Sequence, residues 1–283
     1  MTWSLQNNIL YLSSKKLRKL LSQFSLNIFK LKPNNLLAVT DNNRNFLIAN
    51  FYFQILTLNR IKAASIGTLG VTGLKVKKNF WNTTFDTIQI NKILKKLKER
   101  RIENVILEAS SHGLNQNRLD GLEFDIGIFT NFTRDHLDYH KTYKNYLNSK
   151  LILFKKLLKK KSYAIYDNDL KISSNLNKIA RLNKIKKLTL GNAKSSFSII
   201  SHQFLKDEQK ISFRFDKKTY SFSTKLIGRV QIKNLLMAIM AAMKSKISLE
   251  KIIKIIPKIK SVNGRLEKVG RLNNHGIVIL DYA

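Results

Sequence analysis

The sequence predicts an α/β fold: a doubly wound, mostly parallel sheet with a small antiparallel flank. Three observations lead there. Short, wholly apolar runs alternate with stretches of helical periodicity from residue 35 onward, as strands buried on both faces and joined by helices require. Clusters of polar and titratable residues follow two of those runs directly, where doubly wound sheets put ligand chemistry. From Ser196 the pattern changes to alternating apolar and polar positions, which suits strands with one solvated face.

Residues 1–33 form an amphipathic, basic lead-in ending at Pro33. Asn35 to Thr40 (NLLAVT) reads as a buried strand and Leu47 to Leu58 as a helix. Ala63 to Leu69 is the next strand. Thr84 is placed to cap a helix running to about Arg101, with apolar residues at Ile88, Ile90, Ile93, Leu94 and Leu97. Asn104 to Leu107 and Asp125 to Phe129 are further buried strands. Thr142 to Lys159 is a basic helix, followed by strand-like Tyr163 to Tyr166. Ser196 to Ile200, Lys210 to Phe215 and Thr219 to Ser223 make the antiparallel flank, and Gln231 to Lys244 an Ala- and Met-rich helix. Gly276 to Leu280 reads as a last buried strand, flush with the final residue, which points to a chain that stops short.

With 43% apolar residues the chain can bury a core, and no run approaches the roughly 20 apolar residues of a membrane-spanning helix. The start, MTWSLQNNILYLSSKK, lacks the order of a secretion signal, and there is no cysteine. A cytoplasmic protein without a membrane partner is expected. Lys+Arg 52 against Asp+Glu 18 gives a net charge of +34. That would draw a polyanion, but the lysines decorate nearly every predicted helix instead of forming one arm. The spread favours compositional drift over a nucleic-acid partner.

Two segments hold the chemistry. Glu108 to Arg118 (EASSHGLNQNR) follows the strand NVIL, so Glu108 sits at a strand's C-terminal end, a hard oxygen ligand suited to Mg²⁺ near phosphates. Ser110, Ser111, Gln116 and Arg118 could donate to an anionic substrate. The same residues would also suit a polar strand-to-helix turn. Thr130 to His140 (TNFTRDHLDYH) packs Asp135, His136, Asp138 and His140 together, in a spacing that matches no zinc pattern. A helix entry with surface histidines is the alternative there.

IGTLG (66–70), NTT (82–84), EASSHGLNQNR, TNFTRDHLDYH and NSKLILF (148–154), in this order and spacing, resemble the Mur ligases, most closely the branch that adds the third amino acid. GRVQIKNLLMAIMAA (228–242), NGRLEKVG (263–270) and the terminal VILDYA extend the resemblance over roughly residues 34–283, the family's central, P-loop-like domain. It implies an ATP-dependent amide ligase of peptidoglycan precursor synthesis that extends UDP-N-acetylmuramoyl-L-alanyl-D-glutamate. By the same resemblance Asn82, Thr83, Thr84, Ser110, Gln116 and Arg118 hold the UDP-muramoyl peptide, and Glu108 and His136 ligate Mg²⁺. Lys150 matches the lysine that is carbamylated in the family, which makes it and His136 the catalytic pair. Asn43, Asn234 and Arg265 face ATP.

The sequence also departs from the family. Its phosphate loop, GTNGK[ST][ST], falls on Asp41 to Leu47, here DNNRNFL. The glycines become Asp41 and Arg44, the lysine becomes Asn45 and the hydroxyl position Phe46; Asn43 alone survives. This argues against ATP binding in the family manner. Phe85 stands where the family has proline. Residues 1–33 are too short for the family's N-terminal domain and would be its remnant, and the C-terminal domain that follows DYA is absent. Beside the ligase reading stand a non-catalytic remnant that binds the UDP-muramoyl peptide or a separate chain supplying the missing domains, and a basic nucleic-acid-binding α/β protein.

Overall fold

Alternate residues of one central strand look into two different cores. In this computed structural model, which describes residues 2–40, 45–74, 82–133, 135–205, 208–271 and 276–281, Leu37 and Val39 pack into one apolar cluster and Leu36 and Ala38 into the other. That is the burial of a strand covered by helices on both faces. The elements in chain order are β1 (Thr2–Gln6), β2 (Ile9–Ser13), α1 (Leu17–Ile28), β3 (Asn35–Thr40), α2 (Asn45–Leu58), β4 (Ala63–Gly67), β5 (Gly70–Thr72), α3 (Thr87–Glu99), β6 (Asn104–Glu108), α4 (Ser111–Asn115) and β7 (Phe124–Phe129). They continue with α5 (Leu137–His140), α6 (Tyr143–Ile152), β8 (Leu158–Asp167), α7 (Ser173–Leu182), β9 (Lys186–Gly191), β10 (Phe197–Phe204), β11 (Gln209–Phe215), β12 (Lys218–Thr224), α8 (Arg229–Met243), α9 (Leu249–Ile255), β13 (Glu267–Arg271) and β14 (Ile277–Leu280).

Ten strands form one sheet in the order β12-β11-β10-β9-β8-β7-β3-β6-β4-β5. The run from β10 to β4 is parallel throughout, and the outer pairs β10/β11, β11/β12 and β4/β5 are antiparallel. The predicted fold class holds, and the antiparallel flank extends the main sheet. On one face α2 packs against α8; both are apolar nearly all round, as helices inside a core must be. On the other face α3 and α7 cover the strands.

Several elements depart from expectation for local reasons. Asp86, not Thr84, caps α3: its carboxylate accepts from the N–H groups of Ile88 and Gln89, both at 2.9 Å. The basic helix is broken. After α6 the chain runs through one π-helical turn, Leu153–Leu157, and β8 starts at Leu158. π-turns concentrate at functional sites, and this one begins three residues after Lys150. The last strand is not buried: among the described residues β14 pairs with β13 alone, and Val278, Ile279 and Leu280 are exposed. Residues 2–33 form a β1–β2 hairpin and α1, which docks through Ser22 onto the Asn117 carbonyl (2.8 Å) and through Ser25 onto the Thr87 carbonyl (3.2 Å).

Candidate active site

The C-terminal ends of β4, β6, β3 and β7 meet along one edge, because these strands are parallel neighbours in that order. Glu108 closes β6 there, 4% exposed. The Thr68 hydroxyl donates to its Oε2 at 2.7 Å, and Thr68 also reaches Thr83 at 3.1 Å. Gly67 is required beside it, since a β-carbon there would fall 2.1 Å from the Glu108 carboxyl carbon. Burial pushes the Glu108 pKa up to about 7, and the Thr68 bond only partly offsets this. A carboxylate this poorly compensated fits a bound cation. Among the described residues, however, no three His, Asp or Glu side chains converge as a metal cage.

Beside Glu108 runs a continuous hydrogen-bonded network. The Thr84 hydroxyl lies 2.8 Å from the Glu108 carbonyl and 2.9 Å from the Ser110 hydroxyl, and receives the Ser110 N–H at 2.8 Å. Ser110 also caps α4 by accepting from the Gly113 N–H. Arg118 donates to the Thr84 carbonyl at 2.5 Å and twice to Gln116 Oε1, at 3.1 and 2.8 Å. Gln116 in turn donates to the Tyr139 hydroxyl at 3.2 Å. The structure therefore gathers Thr83, Thr84, Ser110, Gln116 and Arg118 into one wall, while Asn82 lies exposed at its margin.

His136 lies farther along the edge: β3 stands between β6, which Glu108 closes, and β7, and His136 sits seven residues past the end of β7. It caps α5 in the left-handed region (φ 51°), uncommon for a residue with a β-carbon. Around it lies an aromatic cluster. The His112 ring is 5.0 Å from His136, 4.1 Å from Tyr139 and 5.4 Å from His140; Tyr146 is 5.2 Å from His140 and 6.0 Å from His136. Burial foremost, then the other histidines, holds the His112 and His140 pKa values below the usual imidazole range. Lys150 is 1% exposed, and its Nζ lies 4.9 Å from the Tyr146 ring centre, so it faces inward while Lys144, Lys155 and Lys156 are exposed. Thr68, His112, Tyr139 and Tyr146 were not singled out from the sequence. GTL and SSH carried the only signal for the first two.

The nucleotide side is built differently. Phe46, which the family resemblance aligns with the hydroxyl position of the phosphate loop, is buried in the α2–α8 core, and the Arg265 guanidinium lies over its ring at 5.0 Å. Arg265 also approaches Asp281 at 3.9 Å, and its carbonyl receives Gln231 of α8 at 3.0 Å. One turn on, Asn234 is buried with its amide nitrogen unpaired. The hydroxyls of Thr40, the last residue of β3, and Thr130, the residue after β7, are buried as well and have no hydrogen-bond partner among the described residues. Asn43 lies outside the described residues. The orphaned amide and hydroxyls fit a polar ligand; the buried phenyl ring does not fit a phosphate or its metal.

Comparison with known proteins agrees with this geometry. The family profile described as Mur ligase middle domain matches residues 48–242. The chain is 38% identical over 257 residues to a UDP-N-acetylmuramoyl-L-alanyl-D-glutamate–2,6-diaminopimelate ligase of Rickettsia bellii, covering 89% of this chain and 53% of that protein. A ligase of the same name from Chelativorans sp. is 32% identical over 266 residues, covering 94% and 55%. The chain thus spans about half the length of the curated relatives it matches. Two solved structures share the fold. One is a ligase of that same name, with a TM-score of 0.81 at 24% identity over 92% of this chain and 54% of the other. The second is the MurF ligase of Thermotoga maritima in complex with ADP, at 0.69 and 12% over 94% and 57%.

Proposed function

The chain belongs to the Mur ligase family, whose middle domain it matches, and on that premise we propose that it is the acceptor-binding middle part of an ATP-dependent amide ligase whose nucleotide side is weakened. The proposed reaction is that of its relatives, the joining of 2,6-diaminopimelate to UDP-N-acetylmuramoyl-L-alanyl-D-glutamate in the cytoplasm. One observation carries this reading: the hydrogen bonds that join Thr68 and Thr84 to Glu108, and Thr84 in turn to Ser110 and Arg118, around a buried carboxylate only partly compensated by Thr68.

The wall supplies what an anionic peptide needs. The Thr83 and Ser110 hydroxyls and the Arg118 guanidinium are donors on one side of the edge, and Tyr139 and Gln116 orient the arginine. Glu108 and, by the family resemblance, His136 would hold Mg²⁺; when bound, the metal would supply positive charge against the carboxylate and phosphate oxygens. Lys150, kept inward against Tyr146, is placed to take up carbon dioxide as a carbamate and add a second anionic ligand. Asn234 and Arg265 would face the nucleotide base and phosphate. Phe46 does not fit the family's phosphate grip, so no phosphoryl step is derived for this chain. The same residue favours a second reading, a non-catalytic binder of the UDP-muramoyl peptide.

Titration with UDP-N-acetylmuramoyl-L-alanyl-D-glutamate tests the proposal. Wild-type chain should bind, and Arg118→Ala should bind roughly 10- to 100-fold more weakly, the worth of one charged hydrogen-bonding group. No binding by wild type, or equal binding by the variant, would reject it.

A further inference from the structure

We infer that His140 is a positioning residue that locks the helix bearing Lys150 onto the segment bearing Glu108. The inference rests on the reading of Lys150 given above, and concerns how the fold puts that amine in place.

His140 is 4% exposed and bonded at both ring nitrogens. Its Nε2 lies 3.0 Å from the Ser111 hydroxyl and its Nδ1 3.3 Å from the Ser149 hydroxyl. The Ser149 hydroxyl has one hydrogen, which it donates to the Asn145 carbonyl at 2.9 Å. Towards His140 it can only accept, so Nδ1 carries the ring hydrogen. Nε2 of the neutral ring is then an acceptor and takes the Ser111 hydroxyl hydrogen. With the Ser149 hydrogen on the Asn145 carbonyl, donation runs from Ser111 to His140 to Ser149 to Asn145.

The ends of this chain of bonds identify its use. Ser111 opens α4, three residues beyond Glu108, and Ser149 is the residue before Lys150 in α6. His140 itself sits at the sharp turn from α5 to α6, where Lys141 is left-handed (φ 64°) and Asn145 Nδ2 donates back to the His140 carbonyl at 3.2 Å. One face of the ring is closed by Tyr146, 5.2 Å away, the same ring that supports the Lys150 ammonium. A phenyl ring would fill the space but bond to neither serine. A glutamine offers one donor and one acceptor on a flexible arm and can bond to both.

Carbamate formation reads the consequence. The neutral Lys150 amine attacks carbon dioxide: a nitrogen–carbon bond forms, one C=O π bond breaks as its electron pair moves onto oxygen, and an N–H bond breaks to release one proton to solvent. Full-length wild type, His140→Phe, His140→Gln and Ser149→Ala would be equilibrated with ¹³C-bicarbonate, and the ¹³C carbamate signal absent from Lys150→Ala measured. Wild type and His140→Gln should carry the signal, His140→Phe at least tenfold less, and Ser149→Ala an intermediate amount. Acetylation of Lys150 by acetic anhydride, followed by mass spectrometry of the peptide, is the second readout. It should rise about tenfold in His140→Phe and stay near wild type in His140→Gln. Absence of carbamate in wild type would reject the carbamate reading of Lys150 alone, leaving acetylation to decide the positioning. If His140→Phe does not fold, Ser149→Ala decides by the same two readouts. Wild-type carbamate and acetylation in His140→Phe, or loss in His140→Gln equal to that in His140→Phe, overturns the inference.

Discussion

The two ends of the candidate site lie on one sheet edge and are built from opposite materials. On the acceptor side, hydroxyls, an amide and a guanidinium satisfy one another around Glu108, and the polar groups present an organised surface. At the end proposed for the nucleotide, the Phe46 ring is buried in the α2–α8 core, and buried polar groups of Thr40, Thr130 and Asn234 have no hydrogen-bond partner among the described residues. Satisfied networks hold donors in fixed directions, which is what recognition requires.

The largest effect that would sharpen this contrast is at Phe46. Phe46→Ala should lower stability by about 3–5 kcal/mol, as for other buried aromatic truncations, read as a shift in the denaturation midpoint. A change under 1 kcal/mol would mean that the ring is not part of the α2–α8 core. Next in size is the pH dependence of Glu108. Its folded pKa is raised to about 7 from 4.5, so the protonated form is favoured by folding. The associated stability is complete below pH 4.5 and lost as pH rises to 7, by about 3 kcal/mol in total. Glu108→Gln should abolish that loss and be the more stable protein at pH 8. Adding Mg²⁺ at pH 8 should recover stability in wild type and leave the variant unchanged. The smallest effect lies outside both ends: Asp86→Ala removes the α3 cap and should cost about 1 kcal/mol, with nucleotide affinity untouched.

Much of the frame was legible because buried parallel strands write themselves as short apolar runs. β3 was read residue for residue, and α2, β6 and β7 to within two. What escaped was set by three-dimensional competition. Thr84 reads as a helix cap, but its hydroxyl is taken by the Glu108 carbonyl and Ser110, leaving the cap to Asp86. The hairpin and α1 hide in a basic lead-in whose apolar residues include exposed Leu5, Leu17 and Ile28. Strand order was not readable either, since nothing local tells β6 and β7 that β3 lies between them. Ser110, Gln116 and Arg118 are legible as donors from their place after a buried strand, and Thr83 and Thr84 through the family resemblance; their mutual bonding, and the part played by Tyr139, require the fold.

Two titrations of the same protein, compared directly, test the difference between the ends most sharply. Calorimetry should give measurable affinity for UDP-N-acetylmuramoyl-L-alanyl-D-glutamate and weak or no heat for ATP–Mg²⁺. Replacing residues 41–47 with a GTNGKTT loop should raise ATP affinity at least tenfold while leaving the acceptor's unchanged, since one charged contact regained is worth about 1.5–3 kcal/mol. Micromolar ATP affinity in the unaltered chain would contradict the proposed asymmetry.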